Sequence, residues 1–227
     1  MERRKRSRGR CGYCGREMTK GGLSRHLADC PQRQEIIATA DRGTGQAQTL
    51  YHLKVEDAYG GDFWLHLEMS GTATLKKLDD YLRAIWLECC GHLSQFSIGG
   101  WRGDEISMSR KAEQVFEPGI VLTHIYDFGT SSETLIKVVG VRQDKPTTRH
   151  PIALMARNDL PEAQCLKCER PATYYCAECV IEDDTSGLLC NVHVKRHPHD
   201  NYGELIPIVN SPRLGMCGYD GPAEPPY

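Results

Sequence analysis

Alternation with period two dominates the middle of the chain. TLYHLKVE (49–56) reads as a half-buried strand. FWLHLEM (63–69) repeats the pattern with Phe63, Leu65, Leu67 and Met69 on one face. The YGGD between them is a hairpin signal. Residues 74–88, TLKKLDDYLRAIWLE, switch to helical spacing: Leu75, Leu78, Leu82, Ile85 and Trp86 form an apolar stripe, with Thr74 as a fitting N-cap. Further strands are expected at 95–98, 105–108, 120–128, 134–141 and 152–156. Two strands, one long amphipathic helix and a run of strands predict an α+β fold with a mainly antiparallel sheet.

The flanks lack this patterning. Residues 31–48 are polar and Gly-containing and read as a linker with room for one helical turn, and GVRQDKPTTRH (140–150) as a solvated connector. Residues 204–222 are rich in Pro and Gly yet poor in charge, so they are expected to pack on a neighbour, with Cys217 buried. The division expected is a basic arm and finger at 1–30, a linker at 31–48 and a body at 49–157. A metal module at 158–203 and a C-terminal extension at 204–227, packed on the body or the metal module, complete it.

Composition matters chiefly through cysteine. The chain has 227 residues, of which 11 are Cys and 9 are His. No apolar run reaches the roughly 18–20 residues that cross a bilayer, and the basic start MERRKRSRGR is not a secretory signal. Cysteines in such a chain point to metal ligands rather than disulfides, and to a cytoplasmic protein.

Eight cysteines and four histidines fall in two clusters. Cys11-x2-Cys14-x11-His26-x3-Cys30 places two thiols on a knuckle, and an imidazole and a thiol one helical turn apart. This pattern resembles a CCHC-type zinc finger, with Leu23, Leu27 and Met18 as its small core.

The second cluster holds four pairs: Cys165/Cys168, Cys176/Cys179, Cys190/His193 and His197/His199. Eight donors suit two tetrahedral ions. The short gap between the first pairs favours interleaving, with Cys165, Cys168, Cys190 and His193 on one ion and Cys176, Cys179, His197 and His199 on the other. This resembles a B-box-type cross-brace, a module that usually contacts proteins, although ten residues precede Cys190 and one separates the last two histidines. The small N- and C-terminal modules are thus expected to be stabilised by zinc, three ions per chain, each held by four protein donors.

Residues 1–33 carry ten Lys/Arg against three acids, whereas the whole chain has a net charge of −2. Such an arm can meet nucleic acid through Arg3, Arg4, Lys5, Arg6, Arg8, Arg10 and Arg25. Counting back from His26 puts Thr19, Gly22 and Arg25 at base-reading positions, of which only Arg25 reads bases well, so phosphate contact is the better expectation.

His66-Leu67-Glu68 matches half of a zinc-deaminase signature, but the Cys pair it needs lies almost a hundred residues away without the preceding proline. No phosphate loop, carboxylate pair or nucleophile elbow is present, so no catalytic or cofactor-binding residue is assigned. His92, Tyr126 and Asp127 are the body's best polar candidates, with His92 accepting a hydrogen bond from Tyr126.

The body also carries TLKKLDDYLRAIW, then HLSQF (92–96), then IYDFGTSSETLIKV (125–138). In that order they resemble the Ri-plasmid open-reading-frame-three-like family, also described as an insertion-element passenger protein. The resemblance spans about residues 49–145 and implies the same fold and a mobile-element context, with no reaction attached. Members often follow YDFG with an acid, Trp and His, where this chain has Thr130, Ser131, Ser132, Glu133 and Thr134. A site built on those side chains is absent.

The resulting expectation is a non-enzymatic zinc-binding adaptor or nucleic-acid-associated protein. A metal-dependent hydrolase or nuclease with a site between body and zinc module, and a pure protein-interaction scaffold, are the alternatives. Nothing in the sequence specifies an oligomeric state.

Overall fold

The computed structural model describes residues 7–199 and 201–227. Its centre is a nine-stranded antiparallel sheet. Chain order gives β1 (Arg8–Cys11), β2 (Glu17–Thr19), β3 (Gln48–Asp57), β4 (Trp64–Ser70), β5 (Ser94–Ile98), β6 (Asp104–Ile106), β7 (Val121–Tyr126), β8 (Ser132–Asp144) and β9 (Ile152–Asn158). Spatial order is β2-β1-β9-β4-β3-β8-β7-β5-β6. Four α-helices lie among the described residues: α1 (Lys20–Asp29), α2 (Pro31–Asp41), α3 (Leu75–Leu82) and α4 (Ala177–Ile181).

Alternation along β4 explains the layering. Leu65, Leu67 and Met69 point into the main core, where Leu75, Leu78, Leu82, Ile85 and Trp86 cover them. The opposite face, Trp64, His66 and Glu68, is also buried, because α1 and α2 lie over it. Trp64 joins Leu23, Leu27, Met155 and Ala156 in a second core under the finger. Burying a side chain of this size stabilises by roughly 2–3 kcal/mol.

Four expectations are corrected. The expected long helix is eight residues of α-helix followed by a π-turn over Arg83–Leu87, closed by Glu88 N–H to the Arg83 carbonyl at 2.8 Å. Thr74 precedes α3 but makes no side-chain cap. The expected linker at 31–48 carries α2: Pro31 sits in its first turn, where the missing N–H costs nothing, and buried Arg33 pins it to Glu68. The first residues of the expected connector at 140–150 extend β8, with Asp144 opposite Gln48.

The ends of the chain fold onto the body. Strand β1 pairs with β9, so the finger's first strand continues the central sheet. Gly9 permits this approach, since a Cβ there would lie 2.2 Å from the Arg157 carbonyl oxygen and 2.6 Å from the Trp64 ring. Residues 165–207 contribute β10 (Tyr174–Tyr175), β11 (Leu188–Leu189) and β12 (Ile206–Pro207) to a small sheet of order β11-β10-β12. The extension then returns to the body: Ser211 donates to the Trp86 carbonyl at 2.6 Å, and Arg157 to the carbonyls of Asn210 and Ala223 at 2.7 and 3.0 Å.

Candidate metal centres

A tetrahedral zinc with Zn–S near 2.3 Å and Zn–N near 2.0 Å has S–S edges of about 3.8 Å and S–N edges of about 3.5 Å. These edges recur across the Cys/His groups. In the finger, the knuckle leaves β1 at Cys11 and turns at Gly15, whose φ of 69° is left-handed. Its amide returns to the Cys11 carbonyl at 2.9 Å. Thr19 accepts from the Gly22 amide and starts α1, which presents His26 to Cys14 at 3.2 Å. Cys30, at the junction of α1 and α2, lies 3.9 Å from Cys11. Burial pushes the Cys11 thiol up to about 11, so a cation is needed to hold it as thiolate.

The C-terminal donors separate into the two interleaved groups expected from spacing. In the first, Cys168 and Cys190 are 3.8 Å apart, and His193 Nδ1 is 3.4 Å from Cys165 and 3.5 Å from Cys190. Burial opposes ionisation of Cys165, but the Lys167 amide and the His193 ring outweigh it and draw the thiol down to about 6. In the second, His197 Nε2 is 3.2 Å from Cys176 and 3.3 Å from Cys179, while His199 Nδ1 is 3.8 and 3.3 Å from the same sulfurs. The second ring nitrogen of His199 faces Asp183 at 3.8 Å, a carboxylate position that orients a ligand imidazole. Burial and the neighbouring His199 lower the His197 pKa, favouring the neutral form that binds metal. Asn201 holds Glu178 of α4 by its backbone and side-chain nitrogens at 3.0 and 2.8 Å, fixing the loop beyond His199.

A fourth group joins Cys89, Cys90, His92 and Cys217, so all eleven cysteines belong to a cluster. Cys217 is exposed rather than buried as expected.

No protein-family profile matches the chain, and no curated protein does. Among solved structures, a protein of unknown function from Methanosarcina mazei Go1 is similar at 18% identity and a TM-score of 0.40, over 46% of this chain and 66% of that one, just under two thirds of its length.

The other candidates divide. His92, Tyr126 and Asp127 do come together, but Tyr126 Oη donates to Glu88 at 3.0 Å and meets the backbone N–H of His92, not its ring. The His92 ring instead faces Asp127 at 3.5 Å. His66 and Glu68 touch none of the metal groups: His66 bonds His52 and Ser24, and Glu68 pairs with Arg33 and Arg142. Of the basic residues, Arg8 pairs with Glu17 at 2.5 Å and Arg10 with Asp159 at 3.6 Å, while Arg25 is exposed. Thr19 is used as a helix cap and is withdrawn from base reading. Arg3, Arg4, Lys5 and Arg6 lie outside the described residues. Among the described residues no helix is long and apolar enough to cross a membrane.

Proposed function

We propose that the protein is a non-enzymatic, zinc-stapled binding or adaptor protein. The observation that carries this reading is the three groups predicted from spacing, each offering four protein donors within 4.8 Å of one another. Four protein donors leave a tetrahedral ion no position for water, the mark of a structural rather than a catalytic zinc. The Ri-plasmid-type body and its mobile-element setting belong to the same proposal, on the strength of HLSQF and IYDFG.

Within it, contact with a polyanion falls to Arg3, Arg4, Lys5 and Arg6 together with the exposed Arg25, because Arg8 and Arg10 already face carboxylates. A protein partner is supported by apolar side chains exposed on the C-terminal metal module, Leu166, Ile181, Val192 and Tyr202. The hydrolase alternative is less well supported. Tyr126 and Asp127 are buried. A cavity of about 250 Å³ lined by Gln48, Ser70, Thr72, Arg149 and His150 contains none of the metal-group residues.

Elemental analysis of the purified full chain tests the proposal. At least three zinc ions per chain are expected, with terminal modules that lose structure under a strong chelator. A metal-free chain that is fully folded overturns it. Binding to unrelated DNA duplexes that weakens steeply with salt, and vanishes on deleting residues 1–6, is the outcome expected of the arm.

A further inference from the structure

The fourth group differs from the others in origin and exposure. Cys89 and Cys90 follow the π-turn that ends at Leu87, and His92 comes two residues later. Cys217 arrives from the other end of the chain, on the short turn Met216–Gly218. The donor atoms lie within 4.8 Å of one another, with Cys90 Sγ 3.4 Å from Cys89 Sγ and 3.3 Å from His92 Nε2. Cys90 and Cys217 are exposed, whereas each of the other groups includes at least two buried cysteines.

The surroundings are built for anionic sulfur. Arg213 is fully buried, and its Nη2 faces Asp127 at 2.6 Å, Cys89 Sγ at 3.4 Å and Cys217 Sγ at 3.5 Å. A neutral thiol is a weak acceptor for a guanidinium, and a metal-bound thiolate is a strong one. Three thiolates and a divalent ion leave one negative charge beside the Arg213–Asp127 ion pair; the Arg213 N–H groups donate to two of the sulfurs, while Asp127 lies 3.6 Å from Cys217 Sγ and 3.5 Å from His92 Nε2. Asp127 and Cys217 both adopt left-handed backbone, φ 66° and 51°, a conformation that costs a non-glycine residue free energy. The rest of this C-terminal strap, the extension at 204–227, is fixed independently, through Ser211 on the Trp86 carbonyl and Arg213 on the Thr130 carbonyl and Ser132.

We propose that Cys89, Cys90, His92 and Cys217 form a fourth site, for a thiophilic divalent ion of the zinc class. It clasps the C-terminal segment to the body and exchanges its metal faster than the three enclosed sites. Sulfur and imidazole donors exclude magnesium and calcium, which take oxygen. Binding deprotonates the three thiols, and the protons pass to solvent while the metal keeps its oxidation state. Exposure of Cys90 and Cys217 gives a competing chelator or thiol reagent direct access.

The test uses the full chain, reduced, loaded with zinc and freed of excess. Elemental analysis should give four zinc ions for the wild type and three for Cys217→Ser and Cys90→Ser, with Cys165→Ser as a control for an enclosed site. A metallochromic chelator should withdraw one equivalent from the wild type ahead of the rest, and this early phase should be missing in Cys217→Ser. Cys90→Ser, on an exposed side chain, decides the matter should Cys217→Ser fail to fold. Three zinc ions in the wild type and in both variants overturn the fourth site and leave the proposed structural zincs standing. A disulfide among Cys89, Cys90 and Cys217 in the reduced, zinc-loaded chain also overturns it. A folded wild type with no zinc overturns both proposals.

Discussion

Arg33 of α2 meets Glu68 of β4 at 3.2 Å, with only 9% and 6% of the two side chains exposed. The same carboxylate takes Arg142 in a two-pronged contact at 2.8 and 3.1 Å, and Arg33 also donates to the Leu27 carbonyl near the end of α1. Burial works against the charge on Glu68, but the two guanidiniums win and hold its carboxyl below the usual range. Glu68→Ala leaves both cations facing a buried gap and should destabilise by about 3 kcal/mol. Urea unfolding of the zinc-loaded protein measures it; a loss under about 0.5 kcal/mol, the scale of an ordinary surface change, would count against the buried network.

Beside that pair, His52 Nε2 and His66 Nδ1 share a hydrogen bond of 2.8 Å. Burial, reinforced by the Arg33 charge, lowers His52 to about 4, and burial with the neighbouring His52 lowers His66 to about 3. Unfolded histidine titrates near 6.5, so below that pH the unfolded chain takes up protons that the folded chain refuses. Stability from His52 is complete above about pH 6.5, falls by about 3 kcal/mol as the pH drops to about 4, and then levels. Nitrogen NMR, assigned with His52→Asn and His66→Asn, should show both rings neutral at pH 5. A midpoint near 6.5 for either ring contradicts the burial.

Removing one finger ligand should separate the finger from the body. In Cys14→Ala the zinc-loaded protein should lose one metal equivalent, and the amides of residues 8–29 should lose hydrogen-exchange protection. Those of β3 and β8, deep in the main core, should keep it. Simultaneous loss in all these strands would show that the finger is needed for the sheet itself.

Gly9→Ala tests the junction of β1 and β9. Its methyl group would meet backbone oxygen and the buried Trp64 ring, neither free to withdraw. Overpacking of this kind costs about 2 kcal/mol, read as a lower thermal midpoint with the zinc content unchanged. An unaltered midpoint would mean that β1 is held more loosely than its register with β9 indicates.

How far the molecule could be read from its sequence follows from the range of each signal. The pairs Cys11/Cys14, Cys165/Cys168 and Cys176/Cys179 are local motifs, and the short gaps between the C-terminal pairs were enough to indicate interleaving. Alternation in β3 and β4 was equally plain, because one face of each strand meets the same core. Cys217 carries no such signal: its neighbours Cys89 and Cys90 are brought to it by the path of the C-terminal strap, and no spacing rule spans that distance. Residues 31–41 look like a linker because α2 is held by Arg33, a residue whose burial depends on Glu68 and not on any apolar stripe. The π-turn after α3 was hidden for a related reason, since the apolar spacing of Ile85 and Trp86 fits an ordinary helix as well.

Strand β9 is flanked by β1 on one side and β4 on the other, and its residues Arg157 and Asn158 also hold the returning segment at Asn210. During synthesis, the finger emerges more than a hundred residues before the strand it must lie against, and its edge waits in that interval for a partner. On the proposed zinc reading, early capture of metal by Cys11, Cys14, His26 and Cys30 would keep that edge folded in the interval, and zinc supply would then set how many newly made chains mature.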